Sequence, residues 1–259
     1  FHVVTEGSCW ASSVDDREYA VQVRAGEMVI YPTGAANILA SVAGTRAEPN
    51  AALYYHPVHT TLPFPIEVNS DAGAERCRFA CGFLICDTQP FNPLLEALPT
   101  LLHTPVSARS WQWMTGILDA AIEASDRRDA GQEAMLAKLS ELMFLEALRA
   151  HIETLPPDAR GWIAGLRDPQ VGAALRQIHG RYAEPWTLET LAREVGMPRS
   201  SFAERFTAYV GIAPMTYLAR WRLQVAAGLL QSGACTVAQA AGRVGYHSES
   251  AFNRAFTRQ

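Results

Sequence analysis

The sequence predicts a two-domain α+β protein: an N-terminal β-barrel with appended helices, then an all-α C-terminal domain of two helix-turn-helix units. Three observations predict it. Short β-branched and aromatic runs, punctuated by glycine and proline, fill residues 1–92. Helical periodicity takes over from about Asn92. One stretch is also written twice: "TLETLAREVGMPRSSFAERF" at 187–206 returns 49 residues later as "TVAQAAGRVGYHSESAFNRAF" at 236–256. The chain of 259 residues is 49% hydrophobic, which suits packed cores and excludes disorder.

The elements come in order along the chain. "YAVQVRAGEMVIYPTGAANILASV" (19–42) reads as short strands separated at Gly26, Pro32 and Gly34, and "CRFACGFLICD" (77–87) as another. Several such strands at this spacing suggest a barrel or sandwich over 1–92. Residues 93–160 form a helical linker or dimerisation region, with helices expected over 93–102, 110–126 and 131–153. In the last of these Met135, Leu136, Leu139, Leu142, Met143 and Leu145 recur at helical spacing, as core or as a face for a second copy. Pro156-Pro157 ends that helix. "GWIAGLRDPQ" (161–170) reads as a hinge opening the third region, 161–259.

In the doubled stretch each copy opens on a hydroxyl able to cap a helix, Thr187 or Thr236. Apolar residues come next at one face: Leu188, Leu191, Ala192 and Val195, then Val237, Ala240, Ala241 and Val244. Gly196 and Gly245 stand where a tight turn needs positive φ. A second helix follows, anchored by Phe202 and Phe206 or by Phe252 and Phe256, with Trp221 and Tyr217 as further core residues. Helix, glycine turn, helix is the plan whose second helix enters a DNA major groove. The segment 211–230 between the copies is a helix after Pro214, a strut that sets two reading helices toward successive major grooves.

Charge agrees with that placement. The net charge is −4, yet residues 170–259 hold ten arginines, no lysine and five glutamates, a balance of +5 against −9 for the rest. Five scattered cysteines suit a reducing cytoplasm, and no run of about 18 apolar residues exists to cross a membrane. The chain begins at Phe1 and ends at Gln259, and its natural termini are expected to lie beyond both.

"LAREVGMPRSSFAERF", "GIAPMTYLARWRL" and "AGRVGYHSESAFNRAF", in that order and spacing, make residues 170–259 similar to the DNA-binding domain of AraC/XylS-type transcription regulators. In that family a further short helix follows the second unit. The resemblance implies DNA contact through Arg199, Ser200, Ala203 and Glu204 in the first copy and Glu249, Ser250, Asn253 and Arg254 in the second. Asn253 has the chemistry to read adenine, Arg254 guanine or a phosphate, and Glu204 or Glu249 to accept from cytosine. Arg220 and Arg222, like Arg199, are phosphate or structural candidates, and Ser248 a helix cap.

"GEMVIYPTGAAN" (26–37) resembles the second cupin motif, with Gly26, Pro32 and Gly34 in place and Asn37 where that motif ends in histidine. "FHVVTEGSCW" resembles the end of the first motif, whose histidines would lie upstream of Phe1. The N-terminal region is thus similar to the cupin sensor domain of one subgroup of these regulators. Asn37 is a poor transition-metal ligand and His56-x2-His59 falls in a proline-rich stretch, so no metal and no cofactor is expected. Cys9, Cys77 and Cys81 are either inert core thiols or a redox sensor. Cys77 and Cys81 share a strand face but stand about 13 Å apart, so a disulfide would need a partner such as Cys9.

These readings lead to a cytoplasmic, non-enzymatic regulator that binds promoter DNA under a small-molecule effector or redox signal. A homodimer fits it, and so does RNA polymerase as a partner if it activates. The alternative is a cupin-type binding protein or enzyme whose helical domain is structural.

Overall fold

The computed structural model describes residues 1–16, 19–45, 76–85, 90–125, 131–233 and 235–258. The chain divides into two compact units: Phe1–Ile85 with Pro99–Thr154, and Cys86–Leu98 with Leu155–Gln259. The stretch 93–160 is therefore shared between them.

The first unit opens with β1 (His2–Glu6) and β2 (Ser8–Ser13), followed by β3 (Ala20–Arg24), β4 (Glu27–Ile30), β5 (Asn37–Ala40) and β6 (Arg78–Cys81). Gly7, at φ 72°, lets the chain turn from β1 into β2, which lies in the other sheet. A Cβ there would collide with the Arg76 carbonyl oxygen, so the corner needs glycine for space as well as for φ. After α1 (Pro93–Ala97) comes β7 (Leu102–Pro105). The strands form two antiparallel sheets, β6-β1-β4-β7 and β3-β2-β5. Val4 and Val29 of one sheet share a core with Cys9, Ala11 and Val23 of the other. No ladder among the described residues closes the two sheets into the expected barrel.

The helix expected over 93–102 stops at Ala97, because Pro99 drives Leu98 into extended backbone (φ −83°, ψ 146°), and Leu102–Pro105 pairs with β4 instead. Helices α2 (Ala108–Ser125) and α3 (Gln132–Thr154) complete this unit and pack on each other. The apolar residues of α3 divide: Leu139, Met143 and Ala147 are buried, whereas Met135, Leu142 and Leu145 are exposed.

The second unit holds α1 and α4 (Trp162–Arg167), where a hinge was expected, then α5 (Pro169–Gly180), α6 (Leu188–Glu194) and α7 (Arg199–Val210). The long α8 (Pro214–Gln231) leads to α9 (Val237–Arg243) and α10 (Glu249–Thr257). Ile163 and Ala164 of the supposed hinge are buried, which makes it part of the core. Two cores share α8. Tyr217 and Leu218 belong to one with Leu191, Phe202 and Phe206; Leu223 and Ala226 belong to the other with Ala240, Val244 and Phe252.

Candidate nucleic-acid interface

The two helix-turn-helix units are built by the same local chemistry. Thr187 and Thr236 cap α6 and α9, each reinforced by a capping box, through Thr190 and Gln239. Gly196 and Gly245 then turn the chain at φ 68° and 83°. In the first unit four residues separate Glu194 from Arg199; in the second, five separate Arg243 from Glu249. The extra residue lets Ser248 cap α10, its side chain accepting from Ala251 N–H, whereas Pro198 opens α7 with no side-chain cap. Gly245 also lies so close to the α5–α6 turn that a Cβ would approach the Ala183 carbonyl oxygen to 2.5 Å.

On α7, Phe202 and Phe206 are fully buried, and Ser200, Glu204 and Thr207 fall on the opposite, exposed face. Arg199 is exposed in the first turn, 3.8 Å from Glu189. Ala203 sits on the flank and is half-buried. On α10, Phe252 is buried while Glu249, Ser250, Asn253 and Arg254 are exposed, with Arg254 and Ser250 opposite the phenylalanine. Phe256, expected in the core, is 38% exposed in the last turn and leans on Phe252 at 5.4 Å between ring centroids.

The two strut arginines point inward. Arg222 donates from Nε to the Tyr182 carbonyl and from Nη2 to that of Glu184, each at 2.7 Å. Burial lowers its pKa. These bonds tie the α5–α6 turn to α8. Arg220 is half-buried with its guanidinium over the Phe91 ring at 5.7 Å.

Sequence reasoning missed three features here. Thr207 and Ser201 share the exposed surface of α7, which a full helical projection would have shown. The buried Asp168 carboxylate accepts from Gln170 and Val171 N–H at the start of α5 and holds the Arg205 guanidinium in a two-pronged pair. Asp-Pro before an apolar run was the available sign of that cap. Burial works against the Asp168 charge, but Arg205 and the two N–H groups outweigh it and hold the carboxyl below its usual range. The third is an aromatic stack in which His179 lies on Trp221 at 4.0 Å and its Nε2 meets Tyr217 Oη at 2.8 Å. Burial drops the His179 pKa to about 4.

In the first unit His2 of β1 meets residues of both sheets. His2, which the sequence reading did not single out, is buried: Nε2 lies 3.2 Å from Asn37 Oδ1 and Nδ1 lies 2.8 Å from Cys81 Sγ. Alternation along β1, which puts His2 on the face of core residue Val4, was the signal for it. Burial lowers His2 to about 4 and raises Cys81 to about 11. Cys9 is buried and Cys77 packs against the same core; burial raises both thiols, Cys9 to about 12. Cys81 thus lies with His2, and Cys77 beside the core that holds Cys9. His56 and His59 lie outside the described residues. Asn37 presents a neutral amide, a poor transition-metal ligand, to His2, and among the described residues no three His, Cys, Asp or Glu side chains converge. No helix among them is long and apolar enough to cross a membrane.

Comparison with known proteins matches the same two regions. A family model described as "Cupin" matches residues 1–153, and one described as "Helix-turn-helix domain" matches 191–259. A putative AraC-like transcription regulator of Streptomyces lividans is 39% identical over 168 residues, covering 64% of this chain and 54% of that protein. The HTH-type transcriptional regulator AlkR of Acinetobacter baylyi is 37% identical over 171 residues, covering 65% and 55%. The chain thus matches about half the length of each of these relatives. The DNA-binding domain of AdpA, a global transcriptional factor solved in complex with a target DNA, is 32% identical with a TM-score of 0.33, over 36% of this chain and 82% of that one.

Proposed function

We infer what this chain does from the premise that it belongs to the AraC-type family, with a cupin domain over residues 1–153 and a helix-turn-helix domain over 191–259. It is a transcription regulator that binds double-stranded promoter DNA in a sequence-specific way, and its cupin half receives a small-molecule or redox signal. One observation carries the reading. Two helices, α7 and α10, each stand behind a capped helix and a glycine turn, present an exposed polar face, and are seated on the same strut.

Base reading falls to Ser200, Glu204 and Thr207 of α7 and to Ser250, Asn253 and Arg254 of α10, with Arg199 and Glu249 at the helix starts and Ala203 on a flank. Asn253 suits adenine, Arg254 guanine or a phosphate, and a glutamate the amino group of cytosine. The inward donors of Arg222 support a structural role for it. On the sensing side, Cys9 and Cys77 are the thiols whose contact supports a redox signal. The exposed Met135, Leu142 and Leu145 of α3 support pairing of two copies. RNA polymerase is the further partner of an activator, in the cytoplasm.

The test is salt. A duplex recovered by selection from a random-sequence pool should bind with an affinity that falls steeply as salt rises, because arginines neutralise phosphates and release counterions. Binding that is absent, or insensitive to salt, refutes the reading.

A further inference from the structure

Residues Cys86–Leu98 lie in the sequence between β6 and β7, two strands of the first unit, yet they belong to the second. Within that second unit Phe91 is 4% exposed and shares a core with Phe202 and Phe206 of α7. Its ring meets Tyr217 edge-on at 5.5 Å, and Tyr217 meets Phe206 edge-on at 5.8 Å. The Phe91 N–H donates to Gln224 Oε1 at 2.7 Å. Asn92 then caps α1 by accepting from Leu95 N–H, Pro93 is buried, and α1 packs on α4. Connections between strands are ordinarily polar and exposed; this one delivers an aromatic ring to the core behind the first reading helix.

We propose that Phe91 is a positioning residue for α7, and that residues 90–98 form a strap that seats it behind the first reading head; this rests on α7 being a DNA-reading helix. Close-packed interiors pass displacements on rather than absorb them. Withdrawing Phe91 removes a neighbour of Tyr217, and Phe206 of α7 is the next ring in the chain of contacts. The core under α10 contains none of these rings, so the strap acts on one head and leaves the other alone.

The test uses the full chain and three variants, Phe91→Ala, Phe91→Leu and Gln224→Ala, read by amide hydrogen exchange and by affinity for a duplex selected on the unmodified chain. Phe91→Ala should speed exchange within Arg199–Val210 about tenfold and weaken the duplex about tenfold, leaving exchange within Glu249–Thr257 unchanged. Phe91→Leu should restore most of both, and Gln224→Ala should give a smaller rise confined to the same helix. Unchanged exchange in α7 overturns the proposal, as does equal acceleration in α7 and α10, which marks general loosening. Faster exchange in α7 with undiminished duplex affinity overturns the positioning role. If the unmodified chain binds no duplex, the DNA-reading assignment fails by itself, and the contrast between α7 and α10 still decides whether Phe91 positions α7.

Discussion

Replacing Asp168 by alanine should destabilise the helical unit by about 2 kcal/mol. The carboxylate, 2% exposed, accepts from Gln170 and Val171 N–H and pairs with Arg205 of α7. Loss of the cap costs roughly 1 kcal/mol. The pair with Arg205 adds about 1 kcal/mol more, a figure discounted because the guanidinium is 43% exposed and partly screened. Asp168→Asn keeps an oxygen for the two N–H groups and loses only the charge, so it should cost about half as much. Urea denaturation should show midpoints lowered by about 1 M for alanine and about half that for asparagine. The folded carboxyl is held below its unfolded pKa of about 3.9, so its contribution is complete at neutral pH and is lost as the pH falls through the folded value. The alanine variant should lack that acid-side loss. Equal costs for alanine and asparagine, or a double-mutant cycle with Arg205→Ala showing no coupling, would refute the two-part role.

Four further outcomes rest on the structure. Gly245→Ala should cost clearly more than Gly196→Ala, about 2 against about 1 kcal/mol, because only the former meets a carbonyl oxygen as well as a positive φ; equal thermal shifts would contradict the close approach. Arg254→Ala should reduce the salt dependence of duplex binding by about one phosphate if it contacts the backbone, or relax selectivity at one guanine by about 1–3 kcal/mol if it reads a base. Arg222→Ala should instead lower the unfolding midpoint, and a changed salt slope with normal stability would reverse that assignment. Mild hydroperoxide treatment and then non-reducing peptide mapping should join Cys9 to Cys77, slowly at neutral pH because burial raises both thiols and faster as the pH rises. A Cys77–Cys81 link would show that their different contacts are not kept.

The helical unit was the more legible half of the sequence. Its caps, turn glycines and buried phenylalanines are signalled by residues a few positions apart, and the repeat shows each signal twice. What escaped was tertiary. Nothing local marks Arg222 as facing two carbonyl groups about 40 residues away in sequence, or Phe91 as belonging to a core built mostly after residue 161. Two readings failed for local reasons: "GWIAGLRDPQ" looks like a hinge because glycines flank a short apolar run, and Pro99 ends α1 early enough for four residues to join a sheet. In the first unit the glycines and proline at 26–34 located the turn before Asn37. That His2 would face Asn37 needed the pairing of β1 and β2 with different sheets, which no single strand records.

The shared helix α8 has an evolutionary consequence. It spans 18 residues, about 27 Å, and each residue added to a helix advances the next segment by about 1.5 Å while rotating it by about 100°. One inserted residue would therefore turn the second reading head away from the groove as it lengthened the gap. Orientation returns only after about seven or eleven added residues, which lengthen the gap by about 10 or 16 Å, a jump that no single small mutation makes. Under the proposed function, descendants of this chain can change which bases they read, one side chain at a time on α7 and α10, far more readily than the distance between the two words they recognise.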